Sequence, residues 1–60
     1  MEYAIWVPLA KFDTSMTSWL EVNVSGQGVS WKAEIGMFEV RVVSFKHKKD
    51  MIAFKAVFGL

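Results

Sequence analysis

Sixty residues with no cysteine and a single histidine make one small domain that no disulfide can staple, and any structural zinc site would have to rely on carboxylates. Seven basic and six acidic side chains leave a net charge of +1, too little for a global field that draws nucleic acid or an anionic membrane. No run approaches the roughly 18 apolar residues of a membrane span, and Glu2 stands where a secretory signal would be basic, so a soluble intracellular chain without membrane contact is expected.

Residues 2–7 are rich in β-branched and aromatic side chains and stop at Pro8, which cannot donate to a ladder and suits a strand end or a sheet edge. Tyr3, Ile5 and Val7 lie on one side of that strand, Ala4 and Trp6 on the other. Residues 11–17 break the pattern with Asp, Thr and Ser and read as a loop holding at most one helical turn capped by Asp13 or Thr14.

Residues 18–24 alternate, with Leu20, Val22 and Val24 opposite Trp19, Glu21 and Asn23. Ser25-Gly26-Gln27-Gly28 supplies two glycines for a tight turn, and residues 29–35 alternate again, Val29, Trp31, Ala33 and Ile35 against Ser30, Lys32 and Glu34. The pair predicts a hairpin. Gly36 alone is too short for a loop and predicts a corner or bulge.

A fourth strand is expected over residues 37–46, where Phe38, Val40 and Val42 oppose Glu39 and Arg41 before the phase shifts at Val43 and Phe45, suggesting a second bulge. A charged turn, Lys46-His47-Lys48-Lys49-Asp50, leads to a fifth strand over residues 51–58. Ile52, Phe54, Ala56 and Phe58 form one side of it, and the opposite side (Met51, Ala53, Lys55, Val57) is also mostly apolar. The expected fold is therefore all-β, a five-stranded antiparallel meander or SH3-like or OB-like barrel bent strongly near Gly36. The SH3-like label is an architectural analogy only.

An apolar share of 53%, with three Trp, five Phe, one Tyr and four Met, is hard to enclose in so small a core. Strands apolar on both faces are usually covered on both. The first and fifth segments are thus the expected interface, with Trp6, Trp19, Met51, Lys55 and Val57 as partner-binding or oligomer-forming residues. Lys46, His47, Lys48 and Lys49 form a basic tip able to contact phosphate or an acidic protein, or simply a solvated turn that discourages edge pairing.

His47 has no sequence neighbour to orient it as a base. Asp13, Ser15 and Ser18 fit loop capping better than hydroxyl chemistry, and Gly26-Gln27-Gly28 lacks the lysine and following helix of a phosphate loop. No catalytic, metal or cofactor signature emerges. The expected function is binding: a small, self-associating protein-interaction module, such as an inhibitor or adaptor of a larger protein, of a size that suits a phage accessory protein. The alternative is a single-strand nucleic-acid binder of OB-like or cold-shock-like form, using Trp19, Trp31, Lys32, Arg41 and the basic tip. Glu21, Glu34 and Glu39 oppose that alternative.

Overall fold

The computed structural model describes residues 2–60. The chain runs β1 (Tyr3–Pro8), α1 (Thr14–Asn23), β2 (Trp31–Ile35), β3 (Val40–Phe45) and α2 (Lys48–Phe58). The strands form one open antiparallel sheet in the order β1-β3-β2, so β3 is central and both β1 and β2 are edges. The all-β expectation is overturned: the second and fifth predicted strands are the helices α1 and α2, and no barrel closes. With residues 18–23 helical and Val24 at the helix end, the predicted hairpin joining residues 18–24 to residues 29–35 does not exist.

Asp13 starts α1. Its backbone is extended at φ −131°, and its carboxylate accepts the Met16 amide at 3.2 Å, which satisfies one of the donors every helix start leaves open. The cap expected to hold a single turn opens a ten-residue helix. Met16 and Leu20, four residues apart, point into the core with Trp19 beside them, while Val22 faces solvent. The helix stops where the amides of Val24 and Ser25 share the Leu20 carbonyl, at 2.9 and 3.0 Å.

The glycine turn joins α1 to β2. Gly28 takes φ +92°, a left-handed value that costs a glycine little. Ser25 ties this loop to the sheet: its carbonyl accepts the Trp31 indole N–H at 2.7 Å, and its hydroxyl accepts the Ser30 amide at 3.0 Å. Trp31 is therefore fully buried with its one polar atom satisfied.

In α2, Met51, Phe54 and Phe58 recur at three- and four-residue spacing and face inward. Gly59 ends the helix at φ +66°, after which the Leu60 amide returns to the Lys55 carbonyl at 3.0 Å and Leu60 packs on the core. This is a Schellman-type stop with its accompanying apolar contact.

Register separates the two faces of the sheet. Tyr3, Ile5 and Val7 line up with Phe45, Val43 and Arg41, and Trp31 and Ala33 lie across from Phe45 and Val43. This inner face meets both helices through Val7, Met16, Leu20, Trp31, Val43, Phe45 and Phe54. Ala4, Trp6, Pro8, Lys32, Glu34, Val40, Val42 and Ser44 occupy the outer face, which no element covers among the described residues. Pairing passes unbroken through Val42 and Val43 on both sides, so the bulge expected there is absent. The shift of apolar phase has another cause: the central strand is apolar on both faces. Gly36 separates two strands, with residues 36–39 reversing the chain between β2 and β3.

Phe54 joins three elements, so its loss has a predictable scale. Phe54→Ala is expected to cost about 3–5 kcal/mol, against a total of about 3–9 kcal/mol for a domain of this length; urea denaturation should find it largely or wholly unfolded. Asp13→Ala should lower stability by about 1 kcal/mol in the same titration.

Candidate protein-interaction face

Trp6 projects from the outer face of β1 and is 73% exposed. Across from it on β3 is Val42, and two residues on is Val40, both half-buried. The hairpin loop brings Gly36, Met37 and Phe38 to the same place. Together these six residues line an apolar hollow of about 270 Å³. That lies just under the roughly 300–1,000 Å³ of sites that enclose drug-sized ligands, and it suits a single inserted side chain better than a free metabolite.

The loop that builds this hollow is strained. Phe38 and Glu39 take φ of 58° and 57°, consecutive left-handed conformations in non-glycine residues. Reversing a hairpin with two such residues is ordinary when the sequence is Asn-Gly or Gly-Gly. A side chain there costs about 1–2 kcal/mol per residue. Two contacts hold the tip in place: the Gly36 amide donates to the Val40 carbonyl at 2.7 Å, and the Leu9 amide donates to the Glu39 carbonyl at 2.9 Å. The loop also requires glycine at 36, where a Cβ would lie 2.9 Å from Val42 Cγ2 and 3.1 Å from the Val40 carbonyl oxygen. The result is a fixed platform presenting Met37 (76% exposed) and Phe38 (89% exposed) beside Trp6.

Beside the hollow on edge strand β2, Lys32 Nζ and a Glu34 carboxylate oxygen are 2.8 Å apart. The hydrogen bond from Lys32, reinforced by its charge, holds the Glu34 carboxyl below the usual carboxylate range. The sign follows: whatever this pair contributes is present above the ordinary carboxylate range and is lost as pH falls through the lowered value.

The structure does not gather the sequence-predicted site residues. Trp6 is on the outer face, but Trp19, Met51, Lys55 and Val57 are all on the helical side. Trp19 is half-buried in the seam between the helices, its ring 5.9 Å from Phe54 and 6.0 Å from Phe58. Met51 packs half-buried against the core, whereas Lys55 and Val57 are exposed on α2. The interface expected on the first and fifth segments is thus divided between opposite sides of the sheet.

Lys46, His47, Lys48 and Lys49 do not form a hairpin turn; they lead from β3 directly into α2. His47 is the N-cap residue with no capping hydrogen bond from its side chain, and Lys48 and Lys49 fall in the first helical turn. They sit at the Phe45 end of β3, and the hollow sits at the Val40 end. At about 3.3–3.4 Å per residue, Phe45 is about 10 Å from Val42 and about 17 Å from Val40 along the strand. Arg41 lies between Val40 and Val42 in the chain but on the inner face, with its guanidinium 5.4 Å from the centre of the Phe12 ring. Among the described residues no three His, Asp or Glu side chains converge as metal ligands, and no helix is long and apolar enough to cross a membrane.

Met37, Phe38, Val40 and Val42 are the residues that sequence reasoning missed. Strand alternation does place Val40 and Val42 on one side, but the left-handed turn that lifts Phe38 off the strand leaves no mark in a Met-Phe-Glu sequence. No protein-family model, curated protein or solved structure matches the chain, so the functional reading rests on this geometry.

Glu39→Gly should relieve one strained residue and raise stability by about 1 kcal/mol in urea denaturation. Lys32→Met should return the Glu34 titration upward toward its ordinary range, as read by carboxyl carbon chemical shifts.

Proposed function

We propose that this chain acts by binding another protein surface through the outer face of its sheet, with the hollow beside Trp6 receiving one apolar side chain. A single observation carries the reading. Two exposed aromatic rings and a methionine surround an apolar hollow, on a loop whose backbone is held in a costly conformation. Strained, fixed segments recur at ligand-binding sites, aromatic and methionine side chains are enriched in interface cores, and a clamped hairpin loses little freedom on binding.

The single-strand nucleic-acid alternative would need aromatic platforms interleaved with cations along one groove. Here Trp6, across from Val42, stands about 13 Å along the strand from Lys46, and the Phe38 loop stands farther off, while Lys32, the cation on the same face, is paired with Glu34. A binding module for protein is therefore the better-supported reading, and an inhibitor or adaptor role is its simplest form.

Selection of a random displayed peptide library on the immobilised protein tests this. Retained peptides should share an aromatic or large aliphatic anchor, and Trp6→Ala should weaken them by about thirtyfold or more, the scale of an interface hot spot. Because Trp6 is exposed in the single chain, the same variant, measured at a concentration where the chain is monomeric, should change folding stability by no more than about 0.5 kcal/mol. Peptides that bind Trp6→Ala and Phe38→Ser as well as the parent chain would contradict the proposal.

A further inference from the structure

The outer face carries an inference about its occupant, which rests on the binding role proposed above. We propose that the partner is a second copy of this chain: two outer faces pack together about a two-fold axis, the Trp6 and Phe38 rings of each copy covering the hollow of the other.

Area is the first argument. An aromatic side chain has about 150–250 Å² to bury, and Trp6 and Phe38 are 73% and 89% exposed, with Met37 beside them at 76%. Their combined apolar patch is on the order of 500 Å², within the size range of the largest apolar patches of monomers, which are often functional. With the surrounding Ala4, Pro8, Lys32 and Glu34, it approaches the roughly 800 Å² per partner of a stable interface. That would be about a fifth of the 3963 Å² surface of one copy.

Shape and charge agree. An isologous contact requires a patch that complements itself, and this one offers a hollow and the rings that could fill it on the same surface. Two sheets packed face to face lie about 10 Å apart, with side chains interdigitating between them. Glu34 and Lys32 already neutralise one another at the border of the patch, 2.8 Å apart, so a two-fold sets no unpaired charge against its like. The lysines of the tip stay at the far end of β3, and a net charge of +1 adds little repulsion between copies. A domain of sixty residues without disulfides also belongs to the size range in which assembly commonly supplies missing burial.

Sedimentation equilibrium from micromolar to near-millimolar concentration decides the matter. The parent chain should reach twice the 6.8 kDa mass of one copy. Trp6→Lys and Phe38→Asp should each raise the dissociation constant by about thirtyfold or more, while Val22→Asp, on the solvent side of α1, should leave it unchanged. Circular dichroism of the variants confirms that folding is retained. A mass of 6.8 kDa throughout, or a dimer broken by Val22→Asp and not by the face variants, would overturn the proposal.

A monomer that still retains peptides through Trp6 would leave the binding face intact and remove only self-pairing; a monomer that retains none would remove both. Trp6 fluorescence that shifts only on addition of phosphatidylcholine vesicles would identify a lipid surface as the occupant and overturn self-pairing as well.

Discussion

Phe54 holds this small fold together. It leaves α2, meets Phe45 on the central strand at 5.6 Å between ring centroids, and meets Trp19 of α1 at 5.9 Å. Phe58 extends the cluster, 4.9 Å from Phe54 and nearly perpendicular to Trp19. Tilted and edge-on aromatic pairs at such distances add attraction beyond burial alone. Both helices are thereby fastened to the same side of the sheet.

That arrangement uses all the helix the chain has. A three-stranded sheet has two faces, and two short helices cover one. The central strand is nevertheless apolar on both sides, with Val43 and Phe45 inward and Val40 and Val42 outward. Trp6 on the neighbouring edge strand repeats the outward apolar choice. The exposed face is therefore a consequence of topology and composition together: sixty residues supply one covering layer, and the sequence supplies grease for two. The strained loop adds to this face a feature that hydrophobic surplus alone does not explain. Asn-Gly at positions 38 and 39 would make the same turn more cheaply, and would remove the ring most exposed to solvent.

Three strands were legible from alternation and β-rich composition, and Pro8 correctly marked the end of an edge strand. The helices were not. Residues 18–24 and 51–58 are short runs in which apolar side chains also recur every two residues, and short apolar runs do not distinguish the two periods. Counting Val22 with Leu20 and Val24 made a strand face; the spacing that governs is Met16 to Leu20, with Trp19 alongside. Likewise Ile52 and Ala56 suggested a strand partnered by Phe54, whereas Met51, Phe54 and Phe58 form the inward stripe. Helix boundary signals were nonetheless present in Asp13 and in the Gly59-Leu60 pair. The apolar surplus was legible from composition, but its location was not, because it depends on which segments become helices and on a backbone conformation at Phe38 and Glu39 that their identities disfavour.

The claim beneath all of this is that both helices lie on one side of the sheet and Trp6 lies on the other. A proton–proton Overhauser spectrum of the folded chain tests it most directly. Contacts are expected between the Trp19 ring and the rings of Phe54 and Phe58, and from Trp6 to Met37 and Val42, with none from Trp6 to either helix. Cross-strand contacts pairing residues 18–24 with 29–35, or a Trp6 ring in contact with α1 or α2, would contradict the account.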